Sequence, residues 1–190
     1  MISKYLFYAT TIITMVLLFS SCNQADEAQA AVDREDTFFL LEKFFEAEEK
    51  RLQSANIGLD KEIRINEKEE QQLIADIDYS REFSMFRKAD INRPAWSDKY
   101  QADSTLQQGG LEIKYTSLDP ELKTQELFVM MNKEGEVEKI DIVSQTETAL
   151  ARNKSWMTYE PKVGYLIKTQ QENRTAETLN IEIKGRFVAQ

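Results

Sequence analysis

The chain has 190 residues, and its formal net charge of −9 makes it clearly acidic. An acidic surface repels phosphate backbones, so the charge balance argues against nucleic-acid binding and against a polybasic membrane patch. The sequence contains no histidine, which excludes Ser-His-Asp and Cys-His catalysis, histidine-ligated zinc and imidazole pH switching.

The N-terminus has the pattern of an exported protein anchored by lipid. One lysine precedes an uncharged run over residues 5–19, which suits the core of a secretory signal and is short for a spanning helix. Two serines then precede Cys22, the only cysteine. This looks like the lipobox of bacterial lipoproteins, with Phe19 where leucine is usual. It predicts a signal peptide over residues 1–21 and lipidation of Cys22, while a plain signal peptide or an uncleaved anchor is the alternative.

The remaining chain divides into a tether and one domain. Residues 22–32 are small and polar with no core-facing period, so they predict a lipidated cysteine followed by a tether that spans roughly 17 Å as a coil. Residues 33–190 have the length of one ordinary domain. We expect its helical part over residues 33–93 and its sheet part over residues 111–188.

The first predicted helix begins near Asp36 or Thr37 and continues to Leu52. Its apolar residues recur at helical spacing and form one stripe, which comprises Phe38, Leu41, Phe45 and Leu52 and is widened by Phe39 and Phe44. We expect this stripe to be core, although it could instead be a surface offered to a partner or to lipid. The glutamates on the other side are expected to face solvent.

A second helix is predicted after a break at residues 56–59. Asn66 and Glu69 have the spacing of a capping box, and the acidic first turn suits the helix dipole. The helix should end before Pro94, because the residue that precedes a proline avoids the α region.

From Leu111 onward the apolar pattern alternates, which predicts strands. Gly135 should close a hairpin with a positive φ, and the parity of Val137 predicts a bulge or a late strand start. The six predicted strands cover about residues 111–116, 125–131, 136–143, 155–159, 164–170 and 179–187. Short links make neighbouring strands antiparallel. The predicted fold class is α+β, with two N-terminal helices packed on a six-stranded antiparallel meander sheet that could curve into an open half-barrel.

Four aromatic residues are candidates for ligand binding on a concave face of this sheet. Trp96, Tyr115, Trp156 and Tyr165 could line a pocket for an apolar or amphiphilic ligand, although Trp96 could instead be a buried clamp between the helices and the sheet. The sequence contains no calcium loop, phosphate loop or nucleophile elbow. We therefore expect no metal, no cofactor and no catalytic residues.

Three segments carry a resemblance to known proteins. They read DINRPAWSDKY at residues 90–100, YTSLD at residues 115–119 and TYEPKVGYLIK at residues 158–168. With the lipobox and acidic helices before them, they resemble small lipoproteins of Bacteroidota-type bacterial envelopes, a group with no established activity. The resemblance implies an exported chain, lipid-anchored in the cell envelope and held at the outer membrane, facing the periplasm or the cell surface.

The sequence supports three hypotheses about function. The first is a non-catalytic binding module that is tethered to the bilayer through acylated Cys22 and binds an apolar or amphiphilic ligand. The second is a structural or accessory subunit that docks onto an envelope protein complex. An enzyme that uses paired carboxylates is the third, and no motif supports it.

Overall fold

A computed structural model of the protein describes residues 38–107 and 109–189. The predicted signal peptide, Cys22, the tether and the predicted helix start at Asp36 or Thr37 lie outside these residues. Three short helices occur in the described part, α1 (Leu41–Ser54), α2 (Tyr79–Glu82) and α3 (Ser84–Arg87), with a 3₁₀ turn at Pro94–Trp96. None of the described helices is long and apolar enough to cross a bilayer.

Most of the described chain is strand. The strands in chain order are β1 (Ile57–Ile65), β2 (Lys68–Ile74), β3 (Tyr100–Gln107), β4 (Gly110–Ser117), β5 (Thr124–Asn132), β6 (Val137–Glu147), β7 (Ala151–Glu160), β8 (Gly164–Asn173) and β9 (Leu179–Ala189). They form one sheet with the order β2-β1-β9-β8-β7-β6-β5-β4-β3. All neighbours are antiparallel. Strands β3 to β9 are a meander, and the β1–β2 hairpin adds to its β9 side.

The predicted α+β fold with two helices and six strands is therefore wrong. The predicted strands correspond to β4–β9, and the sheet also contains β1, β2 and β3. The described sheet is open, with β2 and β3 at its two edges. Strand β1 covers the predicted break and the residues after it, and β2 replaces the first part of the predicted second helix, whose later part contains α2 and α3. Strand β3 lies in the predicted connection after Pro94.

Asn66 explains the largest error, because it is a turn residue and not a helix cap. Its φ of 51° lies in the left-handed region, which asparagine tolerates better than most residues. Its backbone N–H donates to the Asn180 carbonyl at 2.8 Å, and its Oδ1 accepts from the Asn180 N–H at 2.9 Å. This turn is thus fixed by a contact with β9 that is remote in sequence.

A second correction concerns the polar connection predicted between β6 and β7. Strand β6 continues to Glu147 and β7 begins at Ala151. A tight turn joins them, in which the Thr148 N–H donates to the Ala151 carbonyl at 2.9 Å. Polar side chains are compatible with strand here because the end of β6 and the start of β7, which this turn joins, are largely exposed to solvent.

Several local predictions are confirmed. Leu41, Phe45 and Leu52 of the predicted stripe are fully buried in the core. Gly135 has a φ of 81° at the predicted hairpin, and the β5–β6 register shifts at Met130 and Met131, close to the predicted bulge. These features depend on short stretches of chain, so local sequence is enough to predict them.

The helices cover one side of the sheet, called here the helix side, and an aromatic core lies between them. The Phe45 ring of α1 lies 4.9 Å from the ring centroids of both Phe86 and Tyr159. Phe83 and Tyr165 extend the same cluster. Edge-to-face and offset contacts of this kind add to the stabilisation that burial of apolar area provides.

Glu48 is also part of this core, although it was expected on the solvent side of the first helix. Its side chain accepts a hydrogen bond from the Tyr159 hydroxyl and forms two hydrogen bonds with Arg51, at 2.7 and 2.8 Å. Burial, followed by the adjacent Glu48 carboxylate, raises the pKa of Tyr159 far above its ordinary value. A charge this deep is tolerated because all its partners are present.

Candidate functional site

Two of the four aromatic candidates lie inside the core on the helix side. The Tyr115 hydroxyl accepts from the Phe39 N–H at 3.0 Å, and the Tyr165 hydroxyl donates to Glu82. Only 5% and 4% of these two residues is exposed. Burial raises the pKa of both tyrosines. The side of the sheet where a pocket was predicted is filled, at these positions, by the protein's own helices.

Trp96 lies in the 3₁₀ turn before β3, at the margin of the core. Its ring centroid is 6.5 Å from that of Tyr100, and the Arg93 guanidinium lies 4.7 Å from the same indole centroid. The indole is half-buried and packs against the core cluster. This position agrees with the interpretation of Trp96 as a clamp between the helical segment and the sheet.

Trp156 lies on the opposite side of the sheet, called here the solvent side. It occupies the middle of β7 and is 40% exposed. The Lys154 ammonium lies 5.1 Å from its ring centroid, a distance at which a cation is attracted to the ring face. The four predicted residues therefore do not meet in one pocket.

The cross-strand neighbours of Trp156 form a row that runs across the sheet. The strand register puts it opposite Val143 of β6 and Lys168 of β8. Beyond Lys168 the same row consists of charged residues, namely Glu182, Arg64 and Glu69. Trp156 is thus an apolar platform at the end of a charged ladder that crosses four strands.

Ion pairs hold this ladder together. Lys168 Nζ lies 3.1 Å from Glu182 Oε2, and Arg64 Nη2 lies 2.9 Å from Glu69 Oε2. The hydrogen bond to Glu69 raises the pKa of Arg64, which therefore stays charged. Such exposed pairs contribute little stability, but they fix where charged groups stand beside the indole.

Two neighbouring cavities lie on the solvent side, and Trp156 lines the smaller of them. The larger has a volume of about 710 Å³ and the smaller about 300 Å³. The larger is lined by Pro120, Glu121, Gln145, Thr146, Glu147, Arg152, Lys154, Gln170 and Glu172. The smaller is lined by Arg64, Asn66, Trp156, Lys168, Thr169, Gln170, Asn180, Ile181 and Glu182. We refer to Trp156 and these two cavities together as the Trp156 surface.

Gln170 connects the two cavities, since it lines both. Among the described residues its side-chain amide has no hydrogen-bond partner, whereas Gln145 donates to the Pro120 carbonyl at 3.1 Å. Arg152 is paired with Glu147 at 3.1 Å. The surface therefore offers one aromatic ring, a free amide and charges of both signs, which are groups that can bind a ligand with apolar and polar parts.

No metal-binding cluster appears in residues 38–107 and 109–189. Within these ranges no group of three or more histidine, cysteine, aspartate or glutamate side chains could hold a metal ion. The ionisable groups with the largest pKa shifts there are core tyrosines, whose partners Glu48 and Glu82 face the protein interior.

Comparisons with known proteins add no relative. No family model matches the chain, and neither a curated protein nor a solved structure is similar to it.

The sequence signal for the Trp156 surface is the alternation in β7. Trp156 and Thr158 alternate with the buried Met157 and Tyr159, so the side chains of the two pairs lie on opposite sides of the sheet. The pattern alone does not say which side the helices cover. The charged ladder was missed because β1 and β2 were not predicted as strands.

Proposed function

We propose that this chain is a non-catalytic binding module, tethered to a bacterial envelope through acylated Cys22, and that it binds an amphiphilic ligand on the Trp156 surface. The observation that carries the proposal is a tryptophan that is 40% exposed on the solvent side of the sheet, where it lines one cavity that adjoins a second, more polar cavity at Gln170. Exposed tryptophan is costly to leave in water and is enriched where proteins bind other molecules.

The lining of the cavities favours an amphiphilic ligand over a purely apolar one. An apolar group can cover the indole, while Gln170, Lys154 and the charged ladder supply hydrogen bonds and ionic contacts for polar groups nearby. A wholly apolar ligand would desolvate those polar groups without replacing their hydrogen bonds, at a cost in free energy.

The tethered location rests on the lipobox and on the resemblance to envelope lipoproteins. Two or more acyl chains on Cys22 would hold the domain stably at a bilayer, where one chain would not. In cells, Cys22→Ser should release the protein from the membrane fraction or leave it unprocessed. A variant that is still processed and still membrane-bound would contradict the anchor.

Native mass spectrometry of the protein purified from its own envelope tests the binding proposal. Wild type should carry a reproducible additional mass that leaves on gentle denaturation, and Trp156→Ala should lose it. Trp96→Ala is the matched control, because it removes the other tryptophan at the margin of the core and should keep the additional mass. An additional mass retained by Trp156→Ala would contradict the proposal.

One observation favours the second function, an accessory subunit of an envelope complex. Strand β3 is an edge of the described sheet, and Leu106 on it is 83% exposed. A partner strand could add there, whereas the other edge, β2, carries the charges that discourage such pairing. A photo-crosslinker at position 106 should then capture one discrete partner in cells, and the same probe at Leu73 on β2 should not.

A further inference from the structure

A cationic cavity lies on the helical side of the domain, beside the point where the described chain begins. Its volume is about 450 Å³, and its lining comprises Glu42, Ser84, Arg87, Lys88, Asp90, Asn92 and Arg93. It is remote from the Trp156 surface, since the two share no lining residue. Its charge is unusual in a chain whose net charge is −9.

Several of the charges in this cavity are already satisfied. Arg87 Nη1 lies 2.7 Å from Glu49 Oε2, and Arg87 Nη2 donates to the Ser80 carbonyl at 2.6 Å. Asp90 accepts the Glu42 N–H at 2.7 Å and the Asn92 N–H at 2.6 Å, one on each carboxylate oxygen. The groups left for an added ligand are the ammonium of Lys88, the N–H groups of the Arg93 guanidinium, which also lies against the Trp96 ring, and, on the rim, the Glu42 carboxylate.

Lys123 is a third cation in the neighbourhood of this cavity, although it is not one of the lining residues. It precedes Thr124, whose Oγ1 donates to the Ala89 carbonyl at 2.9 Å and so attaches the start of β5 to the Lys88 segment. Lys123 is half-buried, and among the described residues it forms no ion pair. Burial lowers the pKa of Lys123, and the nearby cations Lys88 and Arg93 lower it further.

Two exposed cations, Lys88 and Arg93, and the half-buried Lys123 repel one another, so an anion bound beside them would be favoured. Phosphate is the anion best suited to a group containing both lysine and arginine, because its oxygens accept several charged hydrogen bonds at once. The carboxylates of Glu42 and Asp90 in the lining oppose this attraction. Glu42 is exposed, so water screens it, and Asp90 accepts two backbone N–H groups.

The described chain begins beside this cavity, so the segment that follows Cys22 joins the domain there. The Phe38 N–H donates to Asn92 Oδ1 at 3.2 Å, and Asn92 Nδ2 donates to the Phe39 carbonyl at 2.7 Å. The first described residues are thus hydrogen-bonded to the segment that lines the cavity. Fifteen residues, 23–37, connect Cys22 to Phe38.

We propose that Lys88, Arg93 and Lys123 form a phosphate-binding site whose ligand is the headgroup of an anionic lipid in the membrane that holds the tether. The site would orient the domain, with this cavity toward the bilayer and the Trp156 surface free. This inference rests on the proposed tethering. The three cations would bind free phosphate as well as the phosphate of a lipid headgroup.

The test uses the mature chain with Cys22→Ser, so that vesicle binding reports the cavity and not the acyl chains. The probes are inorganic phosphate and vesicles of phosphatidylcholine, alone or mixed equally with phosphatidylglycerol. We expect binding to the mixed vesicles, competition by inorganic phosphate, and a loss on the order of tenfold when Lys88, Arg93 and Lys123 are all changed to glutamine.

A matched control separates a site from general attraction of charge. Lys133, Lys162 and Arg174 are exposed cations elsewhere on the domain, and changing all three to glutamine alters the net charge equally. This control variant should bind the mixed vesicles with an affinity within about twofold of that of the parent chain. The single changes Lys88→Gln and Arg93→Gln affect exposed side chains, so they test the site even if the triple variant is unstable.

Two other results would contradict the proposal, one of them only its lipid ligand and the other the binding site itself. Binding of inorganic phosphate without any preference for anionic vesicles would assign the site to free phosphate and overturn the lipid headgroup. Equal losses in the cavity variant and the control variant would overturn the site. Failure of the tether is separate, since it would appear as membrane release of wild-type protein in cells while phosphate binding in vitro persists.

Discussion

The two sides of the sheet have opposite compositions, although their residues alternate along the same strands. On the helix side, the row through Met157 is apolar across six strands, with Leu127, Ile142, Ile167, Ile183 and Ile63. One residue along each strand, the row through Trp156 continues as paired charges from Lys168 to Glu69. Trp156 is therefore an exception among the charged residues of its row, since it is a large apolar side chain exposed on the solvent side, and this suggests a function in binding.

The two sides of the sheet also differ in their charged groups, which are buried with partners on the helix side and exposed to water on the solvent side. On the helix side, Glu48 and Glu82 are each held by a tyrosine hydroxyl and a cation, Arg51 and Lys61 respectively. On the solvent side the pairs stand in water, as Lys114 and Glu126 do at 3.0 Å. Removal of one partner should matter far more on the helix side, because a buried charge without partners is costly.

The largest expected effect comes from a matched pair of phenylalanines. Phe45 is fully buried on the helix side, so Phe45→Ala should lower the free energy of unfolding by about 3–5 kcal/mol. Phe128 is half-buried between Lys114 and Asp141 on the solvent side, and Phe128→Ala should cost about 1 kcal/mol. Chemical denaturation measures both, and equal losses would contradict the assignment of the core to the helix side.

Alkaline titration tests whether the helix side holds every tyrosine that follows Cys22. These are Tyr79, Tyr100, Tyr115, Tyr159 and Tyr165, all of them buried. Burial raises the pKa of Tyr79 and of Tyr100 from 10.0 to about 12. A raised pKa in the folded state means that the stability is present below pH 10 and is lost as the pH rises toward 12 and beyond.

The tyrosinate absorbance of the mature chain should therefore rise together with the loss of tertiary structure, in one cooperative step. A fraction of tyrosines that ionises reversibly near pH 10 in the folded protein would show that part of this cluster is open to solvent.

The smallest effect is expected on the solvent side. Lys114 and Glu126 are each almost half exposed, so Lys114→Gln should change the free energy of unfolding by less than about 1 kcal/mol. Denaturation at low and high salt measures it, and the small difference should disappear at high salt because exposed pairs are screened. A large loss that persists at high salt would mean that this side is covered.

The sequence was sufficient for features that depend on a few neighbouring residues. The stripe of α1 follows from the spacing of Leu41, Phe45 and Leu52, and β4–β9 follow from alternation. Gly135 predicts its own hairpin, because glycine adopts a positive φ without strain. The lipobox around Cys22 is likewise a local pattern, and it stays a prediction.

Only the tertiary structure decided the rest, since the deciding contacts join residues far apart in the chain. Asn66 has the spacing of a helix cap, yet its pairing with Asn180 makes it a turn. Strand β1 is stabilised along its whole length by β9, which no local window contains. Alternation shows that Trp156 and Met157 face opposite ways, but which of them meets solvent depends on where the helices pack. Because the helices pack on the side of the sheet that carries Tyr115 and Tyr165, these two residues are buried in the core and Trp156 is exposed.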